Sequence, residues 1–447
     1  MTATCGPAPL PGAPAGGWHR RVWALAGPIM LANLSTPLLG AVDTAVVGQL
    51  PDAAYIGGVA IGALVFSFLF WGFGFLRMGT TGFTAQAHGA GDRDELRATL
   101  LRPLILALGL GALLIALRAP IGMLAFDLLE ASPEVETQAA SYYEIRIWSA
   151  PAALVNYTVL GWLLGIQRTR SALVLQVVLN GVNIVLDLVF VIGLDWGIEG
   201  VALASLIAET GAAALGIAVV SRAVAQGGGR WDWSRLRRRD RVVALFRVNL
   251  DIFLRTLALI FAFSYFTAQG AKMGDITLAA NAILMHLLTM MAYGLDGFSH
   301  AAEILAGSAL GARSRAAFLG AVRSATIWGF GCAVVVALAY AALGPQIIGL
   351  FTVLPEVRAT AEAFLPWIVL SPLVSVWSFL LDGIFIGTTR TAAMRNAMAV
   401  SLLAYLSACW LLVPALGNHG LWLAFTLFMA ARAVTLGVAF PRLLRAF

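Results

Sequence analysis

The hexapeptide GIQRTR at Gly165–Arg170 returns as GTTRTA at Gly387–Ala392, with Gly, Arg and Thr in register. That separation, 222 residues from Gly165 to Gly387, aligns the chain with itself over a long distance. Gly48 meets Gly270, Ala60 and Ile61 meet Ala282 and Ile283, and Gly72 meets Gly294. Gly89 and Ala90 in AQAHGAGDR meet Gly311 and Ala312 in GSALGARSR. One offset that holds this far implies two copies of one structural unit.

Composition says what the unit is made of. The 447 residues are 60% hydrophobic and 12% charged, with mean hydropathy +0.86. A soluble domain carries about 25% charged residues, so the surface here must largely face lipid. Membrane spanning restricts the backbone to helices or closed barrels, and a helix needs about 20 apolar residues. Twelve segments qualify: 21–49, 55–83, 98–118, 138–165, 171–194, 199–221, 243–270, 276–304, 317–343, 359–387, 393–413 and 420–441. The expected fold is an all-α polytopic membrane protein of twelve transmembrane helices in two six-helix repeats. The expected organisation is a disordered cytoplasmic tail (1–18), an N-lobe (19–222), a basic cytoplasmic linker (223–241) and a C-lobe (242–447). Six spans per copy is an even number, so the copies share one orientation, related by an axis along the membrane normal with the pathway between them.

Arginine placement sets the orientation. Of the 29 basic residues, 22 fall on the side of both termini and the linker. Only Arg118, Lys272 and Arg358 fall on the other, and Arg77, Arg146, Arg255 and Arg432 lie within or at the ends of spans. Both termini are therefore expected in the cytoplasm. The same bias explains the pI near 9.6 without a nucleic-acid partner. Cys5, Cys332 and Cys409 are too far apart to suggest a disulfide framework or metal site. No GxxxxGK[ST] loop, zinc-ligand spacing or nucleophile elbow occurs, so neither ATP-driven transport nor an enzyme is expected, and no cofactor.

Ionisable residues inside the spans are costly and mark function by default. Asp43 lies within LLGAVDTAVVGQL (Leu38–Leu50), and its counterpart at the common offset is Tyr265. Asp187 in span five has Cys409 as its counterpart. The architecture therefore does not require either acid. Asn183 shares a helix face with Asp187, Asn180 lies near that face, and Ser205 of span six can face them. Two carboxylates with amide and hydroxyl oxygens suit either a proton site, which crowding and desolvation favour, or a Na⁺ site of hard oxygen ligands.

The other half offers a second polar set: His286, Asp296, His300 and Glu303 along span eight, and Asp382 in span ten without a local partner. Asp251 and Arg255, four apart, read as an intrahelical ion pair. Arg77, Arg146 and Arg255 are available to neutralise acids, but spacing assigns no pairs.

AVDTAVVGQL (Ala41–Leu50), LRMGTTGFTAQAHGAGD (Leu76–Asp92), GIQRTR and NGVNIVLDLVFVIGLDWGIEGVALAS (Asn180–Ser205) together resemble the multidrug and toxic compound extrusion (MATE) transporters, in particular their DinF-like branch. The resemblance covers all but the first ~18 residues. It implies two six-helix lobes forming a V, and efflux of organic compounds in exchange for H⁺ or Na⁺, with H⁺ favoured. It also implies a cation site built from Asp43, Asn183, Asp187 and the span-six hydroxyl. Here that hydroxyl is Ser205, where relatives often carry Thr. The C-lobe acids described in another branch have no match. Expected partners are a small organic substrate and membrane lipid, with a monomer the default, in the inner membrane. Rival readings are a flippase for lipid or lipid-linked sugar, disfavoured by the few intramembrane arginines, and a non-transporting scaffold.

Overall fold

A computed structural model describes residues 15–48, 53–129, 132–445 and 447. Most of the expected tail (1–18), with Cys5, lies outside them. The described chain forms helices without a strand. Nine helices among the described residues are long and apolar enough to cross a membrane. They leave large apolar side chains such as Ile105, Val335, Leu403, Trp410 and Val438 exposed, as a lipid-facing surface requires.

The chain divides into two compact units. The first contains α1 (Ala15–Val47) from Leu31 onward, α2 (Ala53–Gly72), α3 (Phe75–Gly89), α4 (Arg93–Ala116), α5 (Arg118–Leu129), α6 (Pro133–Arg146), α7 (Ala150–Gly165), α8 (Thr169–Asp187), α9 (Gly197–Gly227), the short α10 (Trp233–Leu236) and the start of α11 (Arg239–Ala271). The second contains the rest of α11, then α12 (Asp275–Gly311), α13 (Arg315–Phe351), α14 (Pro355–Gly387) and α15 (Thr391–Leu444). α15 covers the expected eleventh and twelfth spans and is broken by non-helical backbone at Gly417.

The opening of α1 joins the second unit. Trp23 sits edge-on to Phe298 at 5.3 Å and to Trp328 at 5.2 Å, and Met30 packs against Gly297. These bulky apolar side chains find their packing there, so the first helix is divided between units although sequence order assigns it wholly to the first half.

The duplication is visible in the backbone. Positive φ angles recur at the common offset: Gly91 and Arg313, Gln167 and Thr389, Asp195 and Gly417. Arg168 N–H donates to Leu163 O and Arg390 N–H to Phe385 O, both at 2.9 Å. Asp92 caps α4 by accepting from Glu95 N–H, and Ser314 caps α13 by accepting from Ala317 N–H. A Cβ at Gly161 would collide with the Arg77 carbonyl, and one at its counterpart Gly383 with the Ser299 carbonyl. Only glycine lets α3 meet α7, and α12 meet α14, at such short range.

The expected linker is tied to the first unit. Arg235 Nη1 donates to both oxygens of Asp92 at 2.7 and 2.8 Å. Arg102 joins Glu95 at 2.7 Å and donates to Arg235 O at 2.6 Å. Arg97 lies over Trp231 and donates to Gly228 O at 3.0 Å. Partial burial opposes ionisation of Asp92, but donors from Glu95 N–H and the Arg235 guanidinium outweigh it and hold the carboxyl below its ordinary value.

Candidate functional site

Asp43 and Asp187 converge in the first unit. Asp43 comes from α1 and Asp187 from the end of α8, and their carboxyl groups lie within hydrogen-bonding reach of each other. Asp187 is fully buried, and neither of its oxygens has a donor. One oxygen of Asp43 is in the same state. Two carboxyls this close, with three oxygens lacking a donor, repel each other when both are ionised, and a proton or a cation between them would relieve that repulsion.

Two irregular helices supply the surroundings. Directly after Asp187, α8 widens into a π turn over Leu188–Gly193, a feature frequent at functional sites. The fourth expected span breaks between α6 and α7 into a single 3₁₀ turn, Ile147–Ser149, with Pro151 in the first turn of α7. The break leaves Arg146 at the C-terminal end of α6, where the helix dipole favours a cation.

Arg146 Nη2 pairs with Glu209 Oε1 of α9 at 2.9 Å. Its guanidinium lies over the rings of Phe66 and Tyr142 at 5.4 and 5.9 Å. Asn156 Nδ2 of α7 donates to Glu209 O at 3.0 Å. Glu209 is a functional candidate that the reading of the sequence missed. It is the sole acid in the apolar run SLIAETGAAA (Ser205–Ala214), so the rule that selected Asp43 would have found it.

The remaining expected residues of this site fall in two places. Asn183 is buried one turn before Asp187 and donates through Nδ2 to Ser205 Oγ at 3.3 Å. Asn180 bonds away from the carboxyls, donating to Ser35 Oγ at 2.8 Å and accepting from Gln176 Nε2 at 3.1 Å.

The second polar set does not gather at one point. Asp382 is buried and takes charge-assisted bonds at Oδ2 from Arg255 and, at 2.6 Å, from Arg432. Arg255 is therefore not paired with Asp251 as the i, i+4 spacing suggests. Asp251 instead accepts from Arg395 Nη1 at 2.6 Å and Thr391 Oγ1 at 3.0 Å. The local pair would gain only about 0.2–0.5 kcal/mol, and these cross-helix partners offer charge-assisted bonds inside the protein. His300 Nδ1 lies 3.0 Å from Glu303 Oε2, and Glu303 is fully buried. His286 stacks on Phe351 with ring centroids 6.0 Å apart. Asp296, four residues before His300 on α12, lies within electrostatic range of Arg432.

At the positions repeating Asp43 and Asp187, the second unit holds Tyr265 and Cys409. Tyr265 sits edge-on to Tyr405, ring centroids 6.0 Å apart, and Cys409 is buried. The same scaffold thus stands on neutral groups.

The model of the MatE family matches residues 28–189 and, a second time, 252–411. The chain belongs to the MatE family. The double match restates the duplication. This MATE chain is 44% identical over 423 residues to DNA damage-inducible protein F of Escherichia coli (strain K12), spanning 95% of this chain and 92% of that protein. It is 25% identical over 448 residues to a probable multidrug resistance protein NorM of Rhizobium meliloti (strain 1021), spanning 94% and 92%. Its fold matches a crystal structure described as MATE in the bent conformation, with TM-score 0.87, 20% identity and 98% of each chain covered. The protein thus belongs to a family of multi-pass membrane transporters, within the DinF-like branch.

Proposed function

We propose that this MATE transporter is a secondary antiporter that exports organic compounds in exchange for H⁺, or Na⁺, with the coupling ion held between Asp43 and Asp187. The observation that carries this reading is the carboxyl pair, three of whose four oxygens are buried without a donor and whose repeat counterparts are neutral. Asn183, one helical turn before Asp187, and its hydrogen-bond partner Ser205 of α9 add amide and hydroxyl oxygens, the donor set that a hard cation or a proton relay uses. An ion drives transport only if it binds the outward- and inward-facing states unequally. A carboxyl pair meets that condition when rearrangement of α1 against α8 changes their separation. In this reading the protein works as a monomer in the inner membrane, with both termini cytoplasmic, and needs no cofactor beyond the ion.

The test is reconstitution in liposomes with ethidium as the reporter cation, under a pH gradient and separately under a Na⁺ gradient. We expect uptake driven by one gradient, with H⁺ favoured. Absence of gradient-driven movement of ethidium and of a panel of neutral and amphipathic compounds would refute organic-compound antiport.

A further inference from the structure

We propose that Arg146 is a movable counter-ion shared between Glu209 and the Asp43–Asp187 pair, so that it reports loss of the coupling ion to helices α6 and α9. The inference rests on the preceding reading that the pair carries that ion.

The geometry carries it in three steps. First, Arg146 is under-used: only Nη2 is bonded, while Nε and Nη1 are buried without partners. Glu209 Oε2, Asp43 Oδ1 and both oxygens of Asp187 are also buried without partners. Unused donors and acceptors of opposite charge in one low-dielectric region mark an arrangement with a second set of bonds available to it. Second, the carboxyl pair is within electrostatic range of Arg146, as is Tyr142. When the ion leaves, the pair gains a negative charge and competes with Glu209 for the guanidinium. Third, the partners differ in freedom. Asn156 ties the Glu209 backbone to α7. Arg146 stands where α6 ends in a lone 3₁₀ turn, a junction that can absorb a change in backbone angles.

The charged and titratable groups around Arg146, Glu209 and the pair come from six helices. They are Asp43 on α1, Arg77 on α3, Tyr142 and Arg146 on α6, Tyr157 on α7, Asp187 on α8 and Glu209 on α9. Counted together with Arg77, which lies near Tyr157, three carboxyls accompany two guanidiniums, and one shared proton on the pair would make the set electrically neutral. A set near neutrality is what burial in a membrane demands.

Infrared difference spectroscopy on the purified full-length protein tests the inference without a substrate. The C=O band of the protonated carboxyl pair, assigned by its loss in Asp43→Asn and Asp187→Asn, is titrated against pH. Glu209→Gln leaves Arg146 to the pair alone, which favours the ionised carboxyls. The titration midpoint is expected to move toward acid by about one pH unit or more. In the Arg146→Gln background the same Glu209→Gln change is expected to move it little, because the relay is gone. If Arg146→Gln does not fold, Arg146→Lys replaces it. An ammonium does not bridge both partners, and the shift is expected to fall by about half or more. An equal shift in both backgrounds would mean that Glu209 acts directly through space and would overturn the relay. An unmoved midpoint would overturn it too. Either result leaves the ion site itself standing. A wild-type protein with no titrating carboxyl band would remove both the relay and the proton reading.

Discussion

Asp187→Asn is expected to abolish gradient-driven transport while leaving the protein folded. The substitution keeps the shape of the side chain and removes the charge that holds the coupling ion. Coupling free energies between ion and substrate sites typically run about 1–3 kcal/mol, or about 5- to 150-fold in affinity. The variant's substrate affinity should therefore lose an ion dependence of up to about 100-fold, and gradient-driven uptake should be lost with it. Folding should survive because the second unit carries Cys409 at the equivalent position of the same scaffold. Asn has a donor to offer Asp43, which relieves a crowded acid pair in place of disrupting packing. Liposome uptake together with size-exclusion profiles of the purified variant checks both halves of this expectation. Transport retained near the wild-type rate would transfer ion coupling to another group, with His300 and Glu303 the next candidates.

Asp382→Asn is expected to do the opposite and act first on stability. Asp382 neutralises two buried guanidiniums, Arg255 and Arg432, and Arg432 is only 2% exposed. Removing the carboxylate leaves two like charges facing each other with no counter-ion between them. Breaking a buried pair from one side costs about 3–5 kcal/mol, a large share of the stability of most folds. The measurement is the temperature at which the detergent-solubilised variant loses its monodisperse profile. A large drop is expected, with substantial recovery in the triple variant Asp382→Leu, Arg255→Met, Arg432→Met, since apolar residues of similar volume often replace buried ion networks at no net cost. A variant with unchanged stability and no transport would instead place Asp382 in the transport cycle.

These two acids show what can and cannot be read from the chain alone. Both are conspicuous as charges in apolar helices, and Asp43 and Asp187 stand out further because the duplication supplies an internal control. That control works because one offset governs backbone detail down to the positive φ angles at Gln167 and Thr389. The partners are another matter. Arg146 and Glu209 are 63 residues apart, and Asp382 lies 127 residues from Arg255 and 50 from Arg432. Helical spacing rules reach only one turn. They pair Asp251 with Arg255, whereas tertiary packing gives each a partner on another helix. The break after Arg146 has a sequence signal, Ser149–Ala150–Pro151, since proline suits the first turn of a new helix. The π turn after Asp187 has none that we can identify in LVFVIG (Leu188–Gly193). The division of α1 between units also escapes sequence order, because it depends on where Trp23 and Met30 find their contacts.

The central claim is that the Asp43–Asp187 pair holds one coupling ion whose release is linked to substrate binding. Calorimetric titration of the purified protein with ethidium, in buffers of different ionisation enthalpy and with Na⁺ present or absent, tests it most directly. For H⁺ coupling, the account predicts release of about one proton per ethidium bound, lost in Asp43→Asn. For Na⁺ coupling, it predicts that added Na⁺ weakens ethidium binding in the wild type and not in the variant. Ethidium binding that releases no proton, ignores Na⁺ and is unchanged by Asp43→Asn would contradict it.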